Sequence, residues 1–190
     1  MKLQPKRLQE RAEQAGVKSE QLAAAIERDS LKGAAALRAI DNWLAGRDHP
    51  RCRVTDIQRL AQAVSAEVKD IAKFTSEVRH HRGSPLKAKL VVDLVRGRPA
   101  LEALNILAFS PKRAAVNLRK AIDAAVTDAQ NNNADVDLLV VSESRCDAGP
   151  ILKRFQPKDR GRAHPIEKRF SHITVSVEER QPKARAGKRK

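Results

Sequence analysis

The stretch KRFQPKDRGRAHPIEKR, residues 153–169, combines seven Lys and Arg residues with two prolines and one glycine. So much charge excludes it from a hydrophobic core, and the prolines argue against a helix because proline has no backbone N–H to donate. Strand-like sequence lies on either side: VDLLVVSES at 136–144 is mostly apolar, and SHITVSVEE at 171–179 alternates apolar and polar residues. The basic stretch is therefore predicted to connect two strands.

We predict that this connection is a hairpin that extends beyond its domain. About thirty residues separate Val141 from Ile173, so a reversal near Gly161 makes each arm roughly 50 Å long at about 3.3 Å per residue. A domain of about 115 residues has a radius of gyration of only roughly 13 Å. The alternative is a disordered basic loop, which is uncommon at this length inside a compact domain unless it is functional.

Such a ribbon needs an external partner, because an isolated two-stranded ribbon is only marginally stable in water and this one repels itself. Phosphate groups would neutralise its charge and release counterions. The side chains that we expect to contact phosphate are Lys153, Arg154, Lys158, Arg160, Arg162, Lys168 and Arg169.

The overall composition also favours a polyanionic partner. The 190 residues include 38 Lys and Arg against 23 Asp and Glu, a formal net charge of +15, which favours nucleic acid over an anionic membrane surface. Four Phe, one Trp and no Tyr leave few rings for base stacking. We therefore expect phosphate contact and shape recognition instead.

Several other classes of protein are disfavoured. The charged N-terminus MKLQPKRLQERAEQ lacks the apolar centre of a signal peptide, and no apolar run approaches the roughly 20 residues that span a bilayer, so we expect a soluble cytoplasmic protein.

Cys52 and Cys146 are far apart and form no CxxC pair, which argues against a zinc site or a disulfide. Adjacent histidines at 80 and 81 point to opposite faces of a strand and suit phosphate or solvent contact better than a metal. No phosphate loop, HExxH or GxSxG motif occurs, so we predict neither an enzyme nor a cofactor.

Residues 75–180 are predicted to form an α+β domain with three helices. Ser84-Pro85 and Ser110-Pro111 each suggest a helix start, in which a hydroxyl N-cap precedes proline at the first helical position. PALEALNIL supplies a shorter helix between them, and the longest helix is expected to end at residues 131–133. The apolar stripes that we expect to be buried are Leu86, Leu90, Val91 and Leu94, then Leu118, Ile122, Val126 and Ala129.

The three helices are expected to pack on a small antiparallel sheet. TSEVRHH at 75–81 suggests a third strand, and the alternation of SHITVSVEE predicts one face against the helices and one in water. The last ten residues, 181–190, lack apolar periodicity and are predicted to be a disordered basic tail. On the helix side we expect Ile173, Val175 and Val177, and in water His172, Thr174, Ser176 and Glu178.

Residues 1–74 are predicted to form a separate, all-helical domain. SEQLAAAI offers Ser19 as an N-cap, and AALRAIDNWLAG places Leu37, Ile40 and Leu44 on one face and ends at Gly46. VTDIQRLAQAVSAEVKDIAKF continues the helical period. Four or five short helices make a small bundle.

RGSPLKAKLVVDLVRGRPALEALNILAFSPKRAA, followed by DLLVVSESRCDAGPILKRFQPKDRGRAHPIEKRFSHITVSVEE, resembles the large-subunit ribosomal protein twenty-two family over about residues 77–180. The resemblance implies an α+β domain on the ribosome exterior, bound to large-subunit ribosomal RNA and to neighbouring large-subunit proteins. It also implies a long β-hairpin, about 142–172, that runs inward to the wall of the peptide exit tunnel. Gln156, Asp159 and Glu167 stand where the family commonly has basic or neutral residues, so this hairpin is less positive than usual.

The resemblance favours RNA contact for Lys87 and Lys89, and we predict the same contact for Arg79 and Arg82 just before them. The charges of the longest helix remain undecided between RNA contact and a solvated face. We expect Gly161 to permit a tight reversal, and Pro157 and Pro165 to loosen the pairing of the arms. The tip, facing the nascent peptide, is predicted to be Asp159, Arg160, Gly161, Arg162, Ala163 and His164.

In the first domain, QLAAAI, AIDNWLAGRDHP and DIQRLAQAVSAEVKDIAKF resemble the helix-turn-helix of Cro and phage repressors, with about seven extra residues around ERDSLKG before the recognition helix. That helix offers mainly Arg38 and Arg47, fewer side chains than a groove-reading helix normally presents. We therefore expect a docking module on the ribosome, with Trp43 in its core. The rival interpretation is a DNA-binding regulator that carries a basic C-terminal domain.

Overall fold

The computed structural model describes residues 1–28 and 31–180. The tail at 181–190, predicted to be disordered, lies outside the described residues. The chain divides into two compact units. The N-terminal unit comprises Met1–Phe74 with Asn132–Ala134, and the C-terminal unit comprises Thr75–Asn131 and the chain from Asp135 onward.

The described part of the N-terminal unit contains five short helices and one two-residue strand. Its core is formed by side chains from all five helices, among them Leu8, Leu22, Ile40, Trp43 and Ile57. The elements are β1 (Lys2–Leu3), α1 (Pro5–Ala15), α2 (Ser19–Ala25), α3 (Ala34–Leu44), α4 (Val54–Ala63) and α5 (Val68–Ile71).

The ends of α2 and α3 show how local sequence sets helix boundaries. Ser19 is the first residue of α2 rather than its N-cap, because the N-cap is Lys18, whose backbone N–H donates to Gln21 Oε1 at 3.2 Å. The predicted stop of α3 at Gly46 is confirmed: Gly46 has φ +79°, and its N–H donates to Trp43 O at 3.0 Å. Glycine adopts that backbone conformation without strain.

The connection between α2 and α3 runs from residue 26 to residue 33, whereas the turn of a helix-turn-helix motif has about three or four residues. Arg28 Nη1, in this connection, forms a 2.7 Å salt bridge with Oδ2 of the buried Asp56 in α4. The extra residues therefore replace the tight turn with a longer connection that is tied to the core.

The C-terminal unit is α+β, which confirms the predicted fold class. Within this unit the strand order is β2-β4-β3. The first residues of β2, Ala72 and Lys73, belong to the N-terminal unit and pair there with β1. Within the described residues, no helix is long and apolar enough to cross a membrane. The elements are β2 (Ala72–Arg82), α6 (Pro85–Val95), α7 (Ala100–Ala108), α8 (Arg113–Gln130), β3 (Leu139–Pro157) and β4 (Ala163–Glu179).

The buried face of α6 differs from the predicted stripe. Leu86 and Leu90 are 72% and 63% exposed, and Leu94 is also exposed, so the expectation that they are buried was wrong; Val91 is buried as expected. The helix is apolar on more than one side, and the side that is buried carries the smaller side chains, which allow a closer approach to the neighbouring elements. The buried residues are Ala88, Val91, Val92 and Val95.

The start of α8 also differs from the prediction. Pro85 begins α6 as expected, but Ser110-Pro111 does not begin α8, which starts at Arg113 after Lys112 as N-cap. The rest of the helix follows the prediction, since its apolar stripe is buried and it ends at Gln130 before a turn at residues 131–133. Ser110-Pro111 therefore lies in the loop that precedes α8 and not at the first positions of the helix.

Both faces of β4 are buried near its end. Ile173, Val175 and Val177 lie in the core as expected, but Thr174 and Ser176 are also buried, so the prediction that they face water was wrong. β4 lies between β2 and β3, and small hydroxyl side chains fit between neighbouring strands when they find a partner. Ser176 Oγ lies 2.9 Å from Thr75 Oγ1 in β2.

Candidate nucleic-acid interface

The candidate interface centres on the hairpin of β3 and β4. The two strands pair antiparallel from Leu139↔Glu179 to Pro157↔Ala163, with irregularities between Val141 and Glu143 and between Ala148 and Ile151. Gly149 lies in the second irregularity, where an added Cβ would come within 3.1 Å of the Phe170 backbone. Glycine is thus suited to the close approach of the two strands at this bulge.

Every residue from 150 to 169 is exposed, and we call this part of the hairpin the ribbon. Its paired portion, from Ile151↔Arg169 to Pro157↔Ala163, is about 20 Å long at roughly 3.3 Å per residue. The first part of the predicted hairpin stays within the sheet, since Ser144 and Ser171 are buried. The ribbon therefore extends from the sheet without packing of its own.

The two prolines differ in their place in the arms. Pro165 is paired with Phe155 inside the ladder, so the loosening predicted there was wrong, whereas Pro157 pairs with Ala163 in the last pair, where the ladder ends. These two pairs lie two residues apart, so they occupy equivalent positions in the ladder. Because proline cannot donate, these are the positions at which the N–H groups point away from the partner strand.

The turn at the end of the ribbon is shorter than the predicted tip. A 3-10 turn spans Asp159–Gly161, and the Lys158 N–H donates to Arg162 O at 2.7 Å. Gly161 has φ +69° and Arg160 φ +57°, both in the left-handed region that reverses the chain. Ala163 and His164, expected in the tip, belong to β4 instead and pair with Pro157 and Gln156.

The pairing sorts the charges of the ribbon onto two faces, because side chains alternate along a strand and paired residues share a face. One face carries Lys153 and Arg169 together with Glu167, whose Oε2 lies 3.0 Å from Arg169 Nη2. The opposite face, which we call the basic face, carries Arg154 and Lys168 and no carboxylate. Among the described residues, neither of these two side chains has a salt-bridge partner.

Exposed apolar side chains are the part of the ribbon that the sequence analysis missed. Phe155 is 74% exposed, and its cross-strand neighbour is Pro165. Ile151, Leu152 and Ile166 are also exposed. The signal for them was the presence of large apolar residues within a strongly charged stretch, and a ribbon that cannot bury them by itself offers them to a partner.

The remaining predicted contacts lie in the second half of β2 and in the first half of α6. Arg79 is engaged within the chain, since its Nε and Nη2 each lie 3.1 Å from Glu77 Oε2, and this hydrogen bond lowers the pKa of the Glu77 carboxyl below its usual value. Arg82 and Lys87 line one pocket, and Lys89 is exposed on α6 away from that pocket. The structure thus brings Arg82 and Lys87 together but not Lys89.

The two adjacent histidines have different surroundings. The ring of His80 makes edge contacts with the rings of Phe170 and His172, with centroids 6.5 Å and 4.9 Å apart. His81 is buried, with Nδ1 2.6 Å from Asn117 Nδ2. Burial, followed by the positive charge of Arg113, lowers the pKa of His81 below its usual value of 6.5, so the ring is neutral at neutral pH.

Both cysteines are thiols rather than thiolates at neutral pH. Burial, together with the Asp56 and Asp48 carboxylates, raises the pKa of Cys52 to about 12. Burial also raises the pKa of Cys146. A thiol needs a lowered pKa to act as a nucleophile or a metal ligand, so neither side chain is activated.

Comparison with known proteins shows which family the chain is similar to. A family model described as Ribosomal protein L22p/L17e matches residues 76–178. The chain is 45% identical over 113 residues to Large ribosomal subunit protein uL22 of Caldicellulosiruptor saccharolyticus, an alignment that covers 59% of this chain and 93% of the relative. It is 50% identical over 115 residues to the uL22 protein of Clostridium acetobutylicum, covering 60% of this chain and 98% of the relative. The chain therefore belongs to the ribosomal protein L22p/L17e family and is a structural, non-enzymatic protein of the large ribosomal subunit.

Proposed function

We propose that the C-terminal unit binds large-subunit ribosomal RNA through its ribbon and supports assembly of the subunit, beside neighbouring ribosomal proteins. The basic face of the ribbon carries the proposal. Arg154 and Lys168 are exposed, share one face of a paired ladder and have no carboxylate among them. A two-stranded ribbon with this charge needs external anions to hold it, and closely spaced phosphates supply them.

The end of the ribbon is proposed to line the peptide exit tunnel. The turn is exposed and lies farthest along the ladder from the sheet, with Arg160 and Arg162 on either side of Gly161. When RNA holds both arms, this turn is the part of the ribbon left to face an open space. We propose that Arg160 and Arg162 lie beside RNA or the tunnel lumen, where they meet the nascent peptide.

The function can be tested by measuring how affinity for a large-subunit RNA fragment depends on salt. We compare the full-length protein with the double variant Arg154→Gln/Lys168→Gln. Each lost phosphate contact lowers the slope of log affinity against log salt by about one, so the double variant should lower it by roughly 1.5 to 2.

The matched control is Lys6→Gln/Lys18→Gln, which removes the same charge from exposed positions in the N-terminal unit. It should leave the slope nearly unchanged, because the slope counts the phosphates that are neutralised and neither lysine is proposed to contact one. Equal slopes for the ribbon variant and the wild type would overturn the proposed role of the basic face. A wild-type affinity that does not vary with salt would overturn RNA binding through phosphate contact altogether.

A further inference from the structure

A pocket of about 450 Å³ opens between the end of β2 and the starts of α6 and α8. Four cationic side chains line it, namely Arg82, Lys87, Lys112 and Arg113, and its lining includes no carboxylate. Within the described parts of the chain, none of the four has a salt-bridge partner. Such a cluster of like charges repels itself, so a bound anion would stabilise it.

Two helix N-termini meet at this pocket. No side chain caps the start of α6 at Pro85 or the start of α8 at Arg113, and residues from both first turns line the pocket. The first N–H groups of a helix have no partner within the helix, and the helix dipole makes this end attractive to anions. Both helices therefore add donors and partial positive charge to the four cations.

A buried polar group also faces the pocket. His81 lines it although the residue is only 6% exposed. Because the Asn117 amide nitrogen can only donate, the Nδ1 atom of the neutral His81 ring accepts, and the proton is on Nε2. Among the described residues, Nε2 has no hydrogen-bond partner.

Gly83 keeps this donor accessible. A Cβ added at Gly83 would lie 2.8 Å from His81 Nε2, a separation that requires one of the two groups to move. Any other residue at this position would therefore crowd the Nε2–H group. The absence of a side chain at Gly83 therefore leaves the Nε2–H group of His81 accessible from the pocket that both residues line.

We propose that this pocket binds the phosphate and the adjoining sugar of one nucleotide in the RNA chain. The inference rests on the proposed function and adds to it a discrete site away from the ribbon. Its volume falls in the range of ligand pockets, about 300–1,000 Å³, and exceeds what a bare phosphate needs. The cations and helix N-termini receive the phosphate, the apolar walls from Ala88, Leu90 and Ala114 cover the sugar, and His81 Nε2–H donates to an oxygen of the nucleotide.

The test follows the ring nitrogens of His81 by NMR in the full-length protein labelled with ¹⁵N-histidine. Three probes are titrated separately: inorganic phosphate, adenosine 5′-monophosphate and a single-stranded RNA oligonucleotide. We expect the RNA to shift the Nε2 resonance of His81 at the lowest concentration, with weaker shifts from adenosine monophosphate and from phosphate. Assignment comes from His81→Gln, which loses the signal.

Two variants test the pocket by different routes. Lys112→Gln/Arg113→Gln removes two cations and should weaken RNA binding by at least about tenfold, since the loss of even one hydrogen bond to a charged group has an effect of that size. Its control, Arg119→Gln/Lys120→Gln, removes the same charge from exposed positions on α8 outside the pocket and should weaken binding much less. Gly83→Ala should reduce the His81 shift without changing the net charge.

The outcomes separate this proposal from the function on which it rests. If RNA binds through the ribbon while the His81 resonance does not move, the pocket proposal is wrong and the proposed function stands. If adenosine monophosphate shifts the resonance but RNA does not, the pocket takes a free nucleotide and the RNA assignment is wrong. If RNA does not bind at all, both proposals fail. Equal losses for the pocket variant and its control would also overturn the pocket.

Discussion

Arg28 and Asp56 form a buried ion pair in the N-terminal unit, with side chains 16% and 1% exposed. Asp56 Oδ2 accepts from Arg28 Nη1 at 2.7 Å and from the Arg53 N–H at 3.0 Å. Among the described residues, Arg28 Nε and Asp56 Oδ1 have no partner. The carboxylate therefore depends on Arg28 for charge compensation, because an unpaired buried charge is costly.

We predict that Arg28→Met lowers the free energy of unfolding of the N-terminal unit by about 3 kcal/mol, since it leaves Asp56 buried without a counterion. Trp43 is the only tryptophan of the chain and is buried in this unit, so its fluorescence during urea unfolding reports the loss. Arg38→Met, on the exposed side of α3, is the control and should cost much less. Equal losses for both variants would mean that the ion pair does not hold the connection between α2 and α3.

His81 links the stability of the C-terminal unit to pH. Its pKa is lower in the folded protein than in the unfolded chain, because burial and then Arg113 disfavour the charged ring. The unfolded chain therefore takes up a proton first as pH falls, so the stabilisation is complete above the unfolded pKa, near 6.5, and is lost as pH falls below it. We predict that wild type loses more stability than His81→Gln between about pH 7.5 and about pH 5.5, measured by urea unfolding with circular dichroism. A larger loss of stability in His81→Gln than in wild type would contradict the lowered pKa of His81.

Among the helices and strands, those whose signal lies in one continuous stretch of sequence were predictable. The ribbon was predictable because its charge, its prolines and the alternation in SHITVSVEE all lie in one continuous stretch. The orientation of α6 was not, because its apolar residues occupy more than one face and only packing against the neighbouring elements selects the smaller ones. The pocket was not predictable either, since His81 and Asn117 are 36 residues apart and meet only in the folded unit.

Helix α3 corresponds to the sequence that resembles a repressor recognition helix, yet its exposed side offers little for reading bases. Its exposed residues include Ala34, Ala35, Arg38 and Asp41. Alanine makes no hydrogen bonds to base edges, and aspartate repels the phosphates around a groove. We predict that the full-length protein shows no duplex DNA site bound about 10³-fold more tightly than random duplex, the lower end for specific binders. Selection from a random DNA pool checks this, and enrichment of such a site would favour the rival interpretation as a DNA-binding regulator.

The contacts proposed for RNA all lie in the C-terminal unit. That unit has its own core, which includes Val91, Leu118, Ile122 and Val175. We propose that the N-terminal unit is a docking module and is not needed for RNA binding. Deleting residues 1–74 should therefore leave affinity for the RNA fragment within about twofold of the full-length value, since independent parts contribute additively. Gel-shift titration measures this, and failure of the shortened chain to fold would show that the two units depend on each other.

We propose that ribosomal RNA holds the ribbon and that the turn of the ribbon lies in the peptide exit tunnel. A cryo-electron microscopy map of large subunits that carry this protein would show both contacts at once. We expect an ordered ribbon over residues 150–169, with Arg154 and Lys168 at hydrogen-bond distance from RNA phosphates and the turn at Asp159–Gly161 on the tunnel wall. A ribbon on the solvent side of the subunit, or without RNA beside its basic face, would contradict this proposal.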